Sequence, residues 1–208
     1  MAEKDFQSEL NRGLRATGWW SHKIADSPTS RFSGVQGSRF THQKPFDCLA
    51  LVNGVCHALE LKQVRTGLSL SLTELRDHQE EALLAVDAAG GRGWLVTNFR
   101  VRLSATQARR RGVETIDRAF AARISQVVHA RVEEARTGLP LDWWEANAVE
   151  LPRQRHAGVL SWDPTPIAAA TPIPEAGSTS PRRLHPQELV SAPRPVDGLL
   201  EELLSELT

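Results

Sequence analysis

Residues 47–62 read DCLALVNGVCHALELK, and this stretch decides the fold. Two apolar runs flank Asn53-Gly54, the pair best suited to a type I′ turn, which needs positive φ at both central residues. The stretch therefore predicts a β-hairpin that turns at 53–54 and sets position 47 opposite position 60. Side chains alternate across a strand, so Glu60 and Lys62 share one face. Val55, His57, Leu59 and Leu61 share the other, the face expected to supply most of the core contact. Asp47 and Glu60 become cross-strand neighbours, with Cβ atoms about 4.5–5.5 Å apart if directly opposed.

Two carboxylates that close repel each other unless a cation lies between them. Mg²⁺ takes oxygen ligands and commonly uses one or two protein carboxylates, leaving other positions to water and substrate phosphate. Lys62, one strand step from Glu60, is placed to orient a water or to neutralise charge on a phosphate. This is the pattern of a metal-dependent phosphodiester hydrolase. An exposed polar hairpin face with an ordinary Glu and Lys has the same pattern.

Outward from the hairpin, residues 4–17 predict a helix through Phe6, Leu10 and Leu14, stopped by Gly18. WWSHKIAD predicts a short extended stretch. Residues 27–45 are rich in turn formers and carry Arg31, Arg39 and Lys44, a loop with a basic surface. Thr73 to about Ala89 predicts a helix broken by Gly90-Gly91-Arg92-Gly93, with WLVTNF following as a short buried strand. That glycine cluster ends a helix and opens a strand, the reverse of the phosphate-binding order, so it reads as a turn. Residues 104–136 predict mostly helix, and LDWWEANAVEL a short closing helix. The order gives an α/β fold with a mixed sheet flanked by helices.

Nine of the 12 prolines fall between Pro152 and Pro195, in text without helical or strand periodicity. The domain is therefore expected to span 1–150, with 151–196 a disordered Pro-rich linker. In 197–208, Leu199, Leu200, Leu203, Leu204 and Leu207 mark one face of a short acidic amphipathic helix, expected to dock on a partner protein or on its own domain. A net charge of zero hides asymmetry. Residues 100–123 hold seven Arg against Glu114 and Asp117, and 197–208 hold four acids and no base. Arg109, Arg110 and Arg111 join Arg31, Arg39 and Lys44 as candidate phosphate contacts, although a solvated basic helix face has the same pattern as the three arginines. Two cysteines, Cys48 and Cys56, are too few for a disulfide scaffold or zinc site. No run approaches 18 consecutive apolar residues and the first ten residues lack a secretory pattern, so an intracellular, cytoplasmic protein is expected.

Asp47, twelve residues, then Glu60-Leu61-Lys62 resembles the D-x(n)-E-x-K signature of the PD-(D/E)XK nuclease superfamily. Three further features narrow the resemblance to RecU-type Holliday junction resolvases of bacteria and their phage relatives. These are T-G-L-S-L-S-L after the Lys, His78-Gln79 opening a helix, and Gly90-Gly91 leading to a strand that ends in Phe99. The resemblance is clear over about residues 44–99, weaker over the first helix and faint beyond 105. It implies a restriction-endonuclease-like core, with Asp47 and Glu60 as metal ligands assisted by the Leu61 carbonyl. Lys62 would activate or position the attacking water, and Gln79 would help to hold water or phosphate. Glu9 is the candidate for the extra acid that many members place beside the metals, although a solvated helix Glu has the same sequence signature. His78 and His57 read as structural.

The implied activity is hydrolysis of branched DNA to 5′-phosphate ends by a homodimer using Mg²⁺, with Mn²⁺ substituting. Other readings are a repair or restriction-like nuclease of the same superfamily, or a non-catalytic DNA-binding adaptor of recombination.

Overall fold

A computed structural model of the chain describes residues 3–24 and 44–170. Helix α1 (Glu3–Ala16) buries Phe6, Leu10 and Leu14 completely and ends at Gly18, φ 78°. Strand β1 (Trp20–Lys23) follows. Strands β2 (Cys48–Val52) and β3 (Val55–Val64) form the expected hairpin, with Asn53 at φ 50° and Gly54 at φ 75°. Cys48 pairs with Leu59 and Val52 with Val55, the register that the turn dictates.

After β3 come β4 (Ser69–Ser71), a 3₁₀ turn (Leu72–Glu74), α2 (Asp77–Ala88) and β5 (Arg92–Arg102). The helix expected over 73–89 is thus divided. Leu75 and Arg76 are extended, and the Gln79 side chain turns back to accept a hydrogen bond from the Arg76 amide, 3.1 Å, which caps α2. Strand β5 runs parallel to β3, with α2 in the connection, and is longer than WLVTNF alone.

The expectation of a mostly helical 104–136 is corrected. Between α3 (Ala105–Arg111) and α4 (Ile124–Val132) lies β6 (Thr115–Arg123), antiparallel to β5. Its Ala119-Phe120-Ala121-Ala122 run is buried on both faces of the sheet, which removes the apolar–polar alternation that would betray a strand. Then follow β7 (Gly138–Pro140), α5 (Leu141–Asn147) and β8 (Val149–Leu151).

The boundary at 150 is corrected as well. Residues 153–162 form a second hairpin, β9 (Arg153–His156) and β10 (Val159–Trp162), turning at Ala157-Gly158, and α6 (Thr165–Ala169) follows. Trp162 and Ile167 are fully buried. A Cβ on Gly13 would lie 1.7 Å from the Trp162 carbonyl oxygen, so only glycine lets α1 approach β10 this closely. The folded unit therefore reaches at least residue 170. The expected loop with Arg31 and Arg39, the rest of the Pro-rich linker and the 197–208 helix lie outside the described residues.

Among the described residues the main sheet has order β1-β2-β3-β5-β6-β8, mixed through the parallel β3–β5 pair. Helices flank both faces, so the α/β class expected from the sequence, consistent with a restriction-endonuclease-like core, is the class observed. One face packs Leu83 of α2 with Phe99, Phe120 and Trp144; the other packs α1 with Leu59, Leu61, Trp94, Val96 and Trp162. Both faces of β3 are thus buried, where the sequence favoured one, and Glu60 and Lys62 project toward the α2 side.

Candidate active site

Asp47 stands one residue before β2, where its amide donates to the Leu59 carbonyl, 3.0 Å, and its carbonyl accepts from the Ile24 amide, 2.9 Å. Pinned on both sides, it extends the hairpin ladder to the level of Glu60, as the turn register requires. Its Oδ2 accepts from the Leu61 amide at 2.8 Å, and its Oδ1 accepts from Lys44 Nζ at 2.5 Å.

Glu60 is 1% exposed. Its Oε1 accepts from Lys62 Nζ at 2.7 Å and from Gln79 Nε2 at 2.6 Å, while its Oε2 is buried without a hydrogen-bond partner. Gln79 Oε1, which caps α2, also lies 3.4 Å from Lys62 Nζ. One carboxamide thus ties the helix start, the acid and the lysine together. Burial, and then the negative charge of Asp47, push the Glu60 carboxyl up from 4.5 to about 7, against the opposing pull of Lys62 and Lys44.

No family model matches the chain, and no curated protein matches it. A solved structure does. It is Archaeoglobus fulgidus Hjc, a Holliday junction resolvase from an archaeal hyperthermophile, at 16% identity and a TM-score of 0.40. The match covers 69% of this chain and 93% of that one. The likeness is weak.

The structure brings Asp47, Glu60, Lys62 and Gln79 together, with Leu61 supplying its amide to Asp47. Glu9 is not joined to them. It lies on α1, across the sheet, where Arg100 grips its carboxylate with two N–H groups at 2.7 and 3.2 Å and the Trp162 indole donates at 3.0 Å. Arg100 also pairs with Asp117 at 3.1 Å. Among the described residues no cluster of three or more His, Cys, Asp and Glu is placed to hold a metal, so the candidate donor set is Asp47 with Glu60.

Arg109 and Arg110 are exposed on α3, whereas Arg111 pairs with Asp142 and, at 3.7 Å, with Glu145. Lys44, expected on a basic loop surface, instead meets Asp47. The i, i+3 spacing in a turn is the only sequence signal for that contact. His57 is buried between Trp19 and Trp94 and accepts from the Trp94 indole at Nδ1, 3.1 Å. Burial, with Arg92 and Arg123 nearby, pulls it down from 6.5 to about 4, which suits the structural role expected of it. No helix among the described residues is long and apolar enough to cross a membrane.

Proposed function

We propose that the chain is a divalent-metal-dependent, structure-selective DNA endonuclease, a Holliday junction resolvase that hydrolyses phosphodiesters to leave 5′-phosphate ends. The observation that carries the reading is the convergence of Asp47, Glu60 and Lys62 on one sheet face, with one Glu60 oxygen buried and without a partner. A buried carboxylate oxygen left unsatisfied costs stability unless something binds it. Two carboxylates with oxygen donors fit Mg²⁺ or Mn²⁺, and Asp47 and Glu60 are the residues that would hold the ion, with the Leu61 carbonyl as a third donor. Bound there, the ion would lower the pKa of water and stabilise the charge of an in-line displacement.

The protein's own groups do the rest. Lys62 orients the attacking water and Gln79 fixes both Lys62 and Glu60. Exposed Arg109 and Arg110 contribute phosphate contacts, as do Arg31 and Arg39. Arg111 and Lys44 reach DNA only by leaving their present acidic partners. Glu9 serves as an extra acid only if Arg100 releases it. A four-way junction has near two-fold symmetry and needs paired cuts, so the active assembly is a homodimer. The acidic, leucine-rich segment 197–208 recruits a protein partner.

The test is cleavage of a labelled four-way junction and of a linear duplex of the same sequence, with Mg²⁺, by wild type, Asp47→Asn and Lys62→Ala. Paired nicks by wild type alone, on the junction alone, are expected. Cutting of both substrates would keep the chemistry and discard junction selectivity, leaving a repair or restriction-like nuclease. Junction binding without any cutting would make the protein a non-catalytic adaptor.

A further inference from the structure

The four carboxylate oxygens of the site are unequally committed. Asp47 Oδ2 is held by the Leu61 amide, which belongs to β3 and cannot leave without distorting the strand. Glu60 Oε1 takes two donors, Lys62 and Gln79, while Glu60 Oε2 takes none. Asp47 Oδ1 takes Lys44. A divalent ion shared by the two acids can use Glu60 Oε2 as it stands. On Asp47 the oxygen free of backbone restraint is Oδ1, which already carries an ammonium at 2.5 Å.

The two lysines differ in where they are rooted. Lys62 rises from within β3 and is braced by Gln79. Lys44 precedes β2, outside any helix or strand, and reaches the site on a flexible stem. An ammonium is a compact point charge with rotatable donors, which satisfies a phosphate as readily as a carboxylate. An ammonium and a divalent cation cannot both sit on one oxygen, because their mutual repulsion at that range is large in a partly buried setting.

We propose that Lys44 is an exchangeable counter-cation. In the metal-free protein it neutralises Asp47; when metal and DNA arrive it yields Oδ1 to the ion and passes to a phosphate of the DNA backbone. Metal and DNA binding are then positively coupled through this one side chain, each raising affinity for the other by the same factor. The inference rests on the metal-dependent reading of the same site and adds to it the order imposed by a resident cation.

The test is calorimetric titration of the full chain with Ca²⁺ as the probe ion, with and without a four-way DNA junction. It compares wild type, Lys44→Met, Lys44→Gln, Asp47→Asn and Lys23→Met, the last removing an exposed cation on the adjacent strand. Without DNA, both Lys44 variants should bind Ca²⁺ about tenfold more tightly than wild type, a change of about 1.4 kcal/mol. The tightening of Ca²⁺ binding by DNA should shrink by that same factor, and Lys23→Met should change neither. Unchanged or weaker Ca²⁺ binding in the Lys44 variants would overturn the inference, as would equal tightening in Lys23→Met, which would mark a bulk charge effect. If wild type and Asp47→Asn bind Ca²⁺ equally, the metal site itself is wrong and the inference falls with it.

Discussion

Replacing Glu60 by Gln tests the electrostatics of the site without any substrate. Glu60 is 1% exposed, and its carboxyl is pushed up from 4.5 to about 7 by burial and by Asp47. Its folded value lies above its unfolded one, so the native state binds the proton more tightly and folding takes up a proton between those limits. The associated stability is fully present below pH 4.5 and is lost as pH rises through 7. At 1.36 kcal/mol per pH unit, a rise from 4.5 to about 7 amounts to about 3 kcal/mol.

His57 works in the opposite sense. Its value falls from 6.5 to about 4 on folding, so it contributes stability above 6.5 that is lost as pH falls through 4. The windows overlap, and in the wild-type curve the two effects mask each other. The difference between Glu60→Gln and wild type removes the histidine from the comparison. Urea unfolding of metal-free protein, measured from about pH 4 to about pH 8, should show that difference swinging toward the variant by about 3 kcal/mol. Hydrogen bonds altered by the amide shift the whole curve but not its dependence on pH. Parallel curves, with a difference constant within about 0.5 kcal/mol, would refute the burial argument. Adding Mg²⁺ near pH 8 should raise the wild-type melting temperature and leave the variant's unchanged.

Trp162→Ala should cost about 3–5 kcal/mol in urea unfolding, because the ring is fully buried against Phe6 and its indole holds Glu9. Ending the chain after Glu150 should abolish a cooperative thermal melt; an unchanged melt would restore the shorter domain. Gln79→Ala should slow single-turnover cleavage of a labelled junction by about 10–100-fold while leaving metal-free junction binding intact, since its carboxamide orients Glu60 and Lys62 rather than touching DNA. Arg109→Ala with Arg110→Ala should weaken junction binding and lower its salt slope by about one per side chain removed. Arg111→Ala should instead loosen the contact with α5, read as a lower melting temperature.

What was legible in the sequence was local. Asn53-Gly54 fixed a register in which Cys48 meets Leu59, and Asp47 falls opposite Glu60 by arithmetic alone. The Phe6, Leu10, Leu14 stripe announced α1 for the same reason, a short period repeated without interruption. Strand β6 escaped because Ala119, Ala121 and Ala122 are small, helix-tolerant and buried, leaving no polar face to reveal the period. The β9–β10 hairpin escaped because prolines surround it. Pro152 precedes β9 and Pro164 and Pro166 begin α6, so they border the strands rather than interrupt them, and Ala157-Gly158 is a weaker turn signal than Asn-Gly. The partners of Glu9 lie 91 residues away on β5 and 153 residues away on β10. No local pattern specifies such contacts; only the completed fold does.

Charge balance ties these pieces together. With Asp47 and Glu60 ionised, the site holds two negative charges, met by the ammonium groups of Lys44 and Lys62 at 2.5 and 2.7 Å. That site is electroneutral and nearly dry, which is the condition under which two acids can be kept close in a fold without metal. A divalent ion added to it leaves a local excess of two positive charges, unfavourable in a partly buried pocket and relieved by an anion. One phosphodiester offsets half of that excess, and a lysine that leaves the carboxylate for a neighbouring phosphate takes away the rest. Burial, with Asp47 adding to it, holds the Glu60 carboxyl up near 7 even with both lysines pulling the other way. Where one lysine is drawn away without an ion replacing it, protonation of Glu60 is the cheapest way left to keep two buried acids side by side.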